Sequence, residues 1–286
     1  MGGWFRRNAW VAPYVLLGPG LLWLAVFYVY PAVQMFMASF WSGTVEQGYV
    51  FGLENWTNYS RAVSQFGPFY VRSIAYAFAA TLLTFLVAYP LAYTIAFRGG
   101  RQKNLLLFLV VAPFFTSFLL RTIAWKIILS DSGPLLGPLK GIGLASEEFR
   151  LLSTPVAVIS GITYNFLPFM TLPLYASLDR IDPRLIEAAA DLYARPFTGF
   201  RKVTFPLSMP GVVGGTLLTF IPAAGDYINA QLLGSPKDKM IGNVIESQFI
   251  RIRDYPVAAS MSFVLLVTIL VLVTVYIRRA GTEELL

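Results

Sequence analysis

Along this chain the apolar residues gather into long runs instead of recurring at the period of a surface helix or a half-buried strand. Six runs are long enough to cross a hydrocarbon core of about 30 Å, which takes roughly 20 helical residues at about 1.5 Å each. They fall near 11–38, 70–97, 104–130, 154–178, 207–232 and 257–277. Between them, 39–69 and 131–153 are mixed and contain Gly and Pro, and 98–103 is a tight basic turn. The stretches 179–206 and 233–256 are long and charged. Open backbone in lipid has no water to bond its polar groups, so the pattern predicts an all-α, polytopic membrane bundle of about six transmembrane helices, forming one domain over 1–286. Pro90, Pro113, Pro168, Pro173 and Pro222 fall inside the runs. Each removes a backbone donor and bends its helix, which fits either a bundle with a cavity or ordinary membrane-helix irregularity.

Composition sharpens this reading. Only 13% of the residues are charged and 56% are hydrophobic, against roughly 25% charged in a soluble domain. Cysteine and histidine are absent, which removes disulfides, thiol nucleophiles, imidazole bases and the usual zinc ligands. No Gly-x-x-x-x-Gly-Lys-Ser/Thr sequence is present to cradle nucleotide phosphates. The inventory therefore argues against an enzyme and for an energy source outside the chain. The net charge of +7 is spread among the apolar runs, so it points to topology and not to nucleic acid. With both termini inside, the inner segments hold twelve Lys and Arg, including Arg6, Arg7, Arg98, Arg101, Lys103, Arg278 and Arg279, and the outer segments hold eight. That bias predicts cytoplasmic termini. The first apolar run is longer than a signal-peptide core and is expected to be a retained span.

A few polar residues interrupt the spans. Arg121 lies about 17 residues beyond Asn104, hence roughly 25 Å along the third span, and Asp226 reaches a similar depth in the fifth, so the two could pair. Charges inside a membrane are costly and mark solute paths or interhelical partners. Asn165, beside Tyr164 and Pro168, is a candidate for a cavity wall or for helix-to-helix hydrogen bonding. Trp125 and Tyr227 join the candidate path, although Trp125, with Lys126 beside it, also suits the interface. The ring faces of Tyr227, Trp41, Trp56 and Tyr255 suit a cationic solute; interfacial anchoring is the other reading.

The segment from Asp182 to Pro196 differs from the rest of the chain. Asp182 is a good N-cap and Pro183 a good first helical residue, so a short helix should run from Pro183 to about Leu192. Pro196 disfavours helix at Arg195 and opens a second helix reaching toward Thr204. On the first helix Glu187 and Asp191 share a side at i and i+4, and Ala188, Ala189 and Ala190 leave room for another protein. Glu187-Ala188-Ala189, with Pro206 at the matching distance, resembles the EAA loop of binding-protein-dependent ABC importer permeases. Val203 and Phe205 stand where that pattern has Ile and Leu, and Tyr193 where it has Gly, a residue suited to a left-handed turn. Ser117 to Trp125, Pro206 to Gly211, Gly225-Asp226 and Ile241 to Ile245 resemble the spermidine/putrescine branch.

The resemblance implies a permease subunit of a bacterial inner-membrane importer that carries a small solute, a polyamine or another, by alternating access. Glu187, Ala188, Ala189, Asp191, Tyr193 and Arg195 would then meet an ATPase. The implied partners are a second permease, two ATPases that bind ATP and Mg, and an external solute-binding protein, with no cofactor held by this chain. The 39–69 and 233–256 loops are candidates for docking that binding protein. A self-sufficient ion-coupled carrier would call for more intramembrane carboxylates than Asp226 alone.

Overall fold

A computed structural model describes residues 12–280. Arg6, Arg7 and the first residue of the expected 11–38 span lie outside the described residues. By their contacts the residues group into two units, one reaching Gln65 and including Ser247–Val264, the other holding Phe66–Glu246 and the chain from Leu265 onward.

In the first unit, α1 (Ala12–Leu24) runs through a π-helical turn, Ala25–Val29, into α2 (Tyr30–Ala38). Leu16–Ala38 is long and apolar enough to cross a membrane, and its side chains are largely bare, as at Leu22 and Tyr28. Instead of an irregular loop, the next residues form an antiparallel hairpin, β1 (Trp41–Thr44) with β2 (Gly48–Phe51), pairing Trp41 with Phe51. Its stem is tied by the Asn58 amide, which donates to the carbonyls of Ser39 at 3.0 Å and Trp41 at 2.8 Å. The ring of Tyr49 stacks on Trp41, and its hydroxyl donates to the Arg253 carbonyl at 2.9 Å. Helix α3 (Thr57–Arg98) starts well before the expected residue 70 and carries Gly67 and Pro68 inside it.

The second unit contains the rest of α3, then α4 (Lys103–Val111), α5 (Phe118–Ile128), α6 (Leu136–Gly141) and α7 (Pro155–Leu178). Two short helices follow, α8 (Pro183–Asp191) and α9 (Pro196–Gly199), the second continuing through a π-helical turn, Phe200–Thr204, into α10 (Phe205–Leu207). Next come α11 (Met209–Ala224), α12 (Ile228–Leu233) and α13 (Ile241–Glu246), and the unit ends with the later part of α14 (Tyr255–Ala280). Four helices could span a membrane alone: Leu16–Ala38, Thr57–Arg98, Pro155–Leu178 and Tyr255–Arg279. Two further helix pairs reach that length and apolarity only together, across a bend of 95° between Gly100–Phe115 and Phe118–Ile128 and of 65° between Pro196–Leu207 and Met209–Ala224.

The expected third and fifth spans are thus not straight helices. The run 104–130 passes through a tight helical turn, Ala112–Phe115, that includes Pro113, and extended backbone at Thr116 and Ser117. Depth counted along one straight axis from Asn104 therefore does not apply to Arg121. The run 207–232 stops at Ala224, two residues after Pro222, and restarts at Ile228. Core packing centres on α7 against α11, where glycine permits close approach: a Cβ at Gly211 would stand 2.5 Å from the Pro173 carbonyl oxygen. Thr154 caps α7 by accepting the Ala157 N–H at 3.3 Å, with Pro155 at the first helical position.

Candidate functional site

The break between α11 and α12 assembles a buried polar cluster. Gly225 ends α11, and the next residue, Asp226, is only 7% exposed. Its Oδ1 accepts the Asn229 backbone N–H at 2.9 Å and its Oδ2 the Asn229 side-chain amide at 2.6 Å. The carboxylate thereby caps the first turn of α12. Asn229 Oδ1 in turn accepts from Asn165 Nδ2 of α7 at 3.1 Å and faces the Thr122 hydroxyl of α5 at 3.4 Å. Asn165 Nδ2 also donates to Thr122 Oγ1 at 3.2 Å, while Asn165 Oδ1 is buried with no partner. Three helices thus meet through amide and hydroxyl groups around one carboxylate. Gly161 makes the approach possible, since a Cβ there would lie 2.8 Å from Asn229 Oδ1.

The break itself is braced from α13. Asn243 Nδ2 donates to the Tyr227 carbonyl at 2.7 Å, and Asn243 Oδ1 accepts the Met240 N–H at 3.0 Å. A second set of bonds pins the following loop to α3: Asp238 accepts from the hydroxyls of Tyr76 at 3.1 Å and Ser235 at 2.6 Å, and Ser73 accepts the Ile241 N–H at 2.7 Å.

Of the residues singled out in the spans, Asp226 and Asn165 belong to this cluster, joined through Asn229. Tyr227 follows Asp226 and is 42% exposed. Trp125 is half-buried with its ring centroid 5.4 Å from that of Tyr164, and Lys126 is exposed. The expected pairing of Arg121 with Asp226 does not form. The guanidinium lies over the ring of Phe114, across the 95° bend, at 5.1 Å and over that of Phe118, one turn earlier on α5 itself, at 5.7 Å. Asn229 and Thr122 were not singled out from sequence. Asn229 had a local signal, its offset of three from an acid at a helix start; Thr122 had none, because only the fold brings it to Asn165.

The charged loop has the opposite character. Asp182 caps α8 by accepting the Arg184 N–H at 3.0 Å, as expected from sequence. Glu187, Ala188, Asp191 and Arg195 are exposed, Ala189 is half-buried, and Leu192 and Tyr193 stand out at 82% and 97% exposure. The helix ends in two reciprocal bonds, Tyr193 N–H to the Ala190 carbonyl at 2.9 Å and Ala194 N–H to the Ala189 carbonyl at 3.1 Å. This is the Schellman closure, with Tyr193 at φ 58° in the left-handed position normally given to glycine. The turn suggested by the family pattern is therefore kept despite the tyrosine. Phe197, 72% exposed on α9, adds to the apolar surface beside α8.

Residues 88–279 match the family of binding-protein-dependent transport system inner membrane components. The chain belongs to that family. It is 38% identical to the spermidine/putrescine transport system permease protein PotB of Haemophilus influenzae over 262 residues, covering 90% of each chain. It is 36% identical to the protein of the same name from Escherichia coli K12, over 90% of this chain and 94% of that one. Among solved structures, a component of a bacterial ABC transporter that imports the acidic polysaccharide alginate shares the fold, with a TM-score of 0.70, 20% identity and 96% of each chain covered. This member of the family is thus a multi-pass inner-membrane permease subunit of an ABC importer, a transport component and not itself an enzyme.

Proposed function

We propose that the chain carries a polyamine across the membrane and is driven by a separate ATPase that grips α8. Support for the solute comes from the two relatives, whose names specify spermidine and putrescine, and from the one carboxylate placed in the polar cluster. The Asn229 amide satisfies Asp226 in this structure; an ammonium group entering from one side would replace that amide as donor. The exchange trades one charge-assisted bond for another, so the solute is held without a deep energy well. Asn165, Asn229 and Thr122 offer further acceptors to an amine, and Tyr227 offers its ring face to a cation. Trp125 borders this path, and Arg121 stands at its edge with its charge unmet by any acid in the cluster.

The observation that carries the coupling half is the exposure of α8. Its cap and its Schellman closure tie both ends of a short helix, and the exposed Glu187, Ala188, Asp191, Leu192 and Tyr193 are the surface it offers. Arg195 flanks the same turn. ATP and Mg would be bound by the partner ATPases, and a second permease and an external binding protein would complete the importer. Both termini, with the basic 98–103 turn and α8, would face the cytosol. The test is Glu187→Lys in the whole importer: the chain should insert normally, but co-purified ATPase and spermidine uptake should fall at least about tenfold, the effect of losing roughly one charged interaction. Normal ATPase recovery with normal uptake would refute this role for α8.

A further inference from the structure

Between α3, α11 and the later part of α14, all within the second unit, runs a groove of about 430 Å³. Beside one end of it Ile74, Phe220 and Ile269 pack on the same core cluster; at the other Phe85 and Phe205 pack on a second cluster, and Tyr276 lies two turns beyond Ile269. From Ile74 to Phe85 the wall is about 16 Å long, close to half of a hydrocarbon core of about 30 Å. Spread over that length, the volume gives a cross-section of about 27 Å², whereas a helix about 10 Å across fills about 80 Å². The groove is thus as long as one leaflet is thick, wide enough for one extended hydrocarbon chain and too narrow to seat a helix. Its wall is apolar apart from the hydroxyls of Thr81, Thr216 and Tyr276, and the exposed Phe78 and Leu82 leave its side open.

Unpaired cations stand at the Phe205 and Tyr276 end. Arg201 precedes Phe205 by one turn, and Arg279 follows Tyr276 by one turn. Both are exposed, and neither makes an ion pair among the described residues. The Tyr276 hydroxyl likewise makes no hydrogen bond among them. At the Ile74 end the cation is already engaged, since Arg72 donates to the Lys239 carbonyl at 3.0 Å. An apolar slot with free positive charge at one end is complementary to a hydrocarbon chain that carries an anionic headgroup.

We propose that this groove binds an anionic phospholipid of the inner leaflet, with one acyl chain along α3 between α11 and α14 and the phosphate held by Arg201, Arg279 and the Tyr276 hydroxyl. The choice of leaflet rests on the reading that places α8 and the chain termini at the cytosol. Burial of the acyl chain supplies affinity, and the two guanidinium groups select the headgroup.

Phosphatidylglycerol with a photoreactive diazirine on its acyl chain tests this in the intact importer, reconstituted in phosphatidylethanolamine vesicles. Irradiation followed by peptide mapping should place the label within 74–85 and 212–220. Phosphatidylethanolamine carrying the same diazirine should label these segments at least about tenfold less, the discrimination expected of two cations at the membrane surface. Thr216→Trp, which fills the groove, should abolish the labelling, and Arg201→Gln combined with Arg279→Gln should make the two lipids equal. The unaltered importer carries the first comparison, so a variant that misfolds does not decide the outcome. Equal labelling of the unaltered importer by both lipids, label spread alike over the bare faces of α1 and α5, or labelling only by lipid loaded into the outer leaflet would overturn the proposal. So would a photoreactive phenylalanine analogue at position 78 that captures the second permease instead of lipid. Spermidine uptake by the unaltered importer is scored separately, so the lipid site can fail while the transport reading stands.

Discussion

The α8 loop and the Asp226 cluster place their polar groups in opposite surroundings. On α8 the charges of Glu187 and Asp191 are exposed, and the order of the loop comes from bonds between near neighbours: Asp182 to Arg184, Tyr193 to Ala190, Ala194 to Ala189. In the cluster every group is buried, and order comes from contacts across long stretches of sequence, Thr122 to Asn165 and Asn165 to Asn229. The first can be read from a window of fifteen or so residues; the second exists only when three helices have packed. The proposed roles fit this contrast: a surface that receives force has to be stiff on its own, whereas a surface that handles a solute has to be remade when the helices move.

The strongest way to break the comparison is to disturb the packing that the cluster needs and the loop does not. Gly161 and Gly214 are both helical glycines at the contact of α7 with its neighbours, but a Cβ at Gly161 would lie 2.8 Å from Asn229 Oδ1, whereas one at Gly214 would meet nothing closer than the Pro173 Cβ at 3.8 Å. Replacing either by alanine gains up to about 1 kcal/mol of helix propensity. At Gly161 overpacking against Asn229 and the fully buried Leu233 should outweigh this, for a net loss of about 2 kcal/mol. Thermal unfolding in detergent should therefore show Gly161→Ala less stable than the parent and Gly214→Ala equal or more stable. Equal stability of the two variants would mean that the cluster tolerates separation.

Asp226→Asn sharpens the comparison by removing the charge and one of the two acceptors that Asn229 uses. The amide keeps the shape and its one oxygen can still accept one of the two bonds, so the permease pair and the ATPase should co-purify as before. Uptake of spermidine should fall at least about tenfold, since a hydrogen bond to a charged group contributes about 1.5 kcal/mol. Unchanged uptake would remove Asp226 from the path and leave it as a helix cap.

Much of the architecture was legible because membrane spans announce themselves by length and apolarity. Four of the six runs hold a helix long and apolar enough to cross a membrane, and the other two fall on sharply bent helix pairs that reach that length only when taken together. The bends were not legible as such: Pro113 marked where the third run could yield, but a proline is as compatible with a shallow kink as with a 95° break, and the 65° bend lies at Ser208, between Pro206 and Pro210, and not at Pro222. The early start of α3 was hidden by Gly67-Pro68, a pair that usually ends helices yet lies inside this one. In the cluster Asp226 and Asn165 were visible as polar residues in apolar runs, while Thr122 looked like one more small residue in a membrane helix. The pairing of Arg121 with Asp226 failed for a related reason, since it assumed a straight third span.

Tyr193 gives the finest test, because it is the loop's main departure from the family pattern and still takes the left-handed backbone suited to the glycine it replaces. A left-handed tyrosine costs roughly 1 kcal/mol, and at 97% exposure its ring recovers almost nothing by packing within this chain. Tyr193→Gly removes the strain but gives the unfolded chain more freedom, so the net stabilisation of the turn should be about 0.5 kcal/mol. Slower hydrogen exchange at the Tyr193 and Ala194 amides, by about twofold, would report it. Co-purification of the ATPase carries the other half of the answer: if it weakens while the turn tightens, the ring is a contact that offsets its own strain. If both improve together, the tyrosine is only tolerated, and the grip on α8 lies with Glu187 and the alanines beside it.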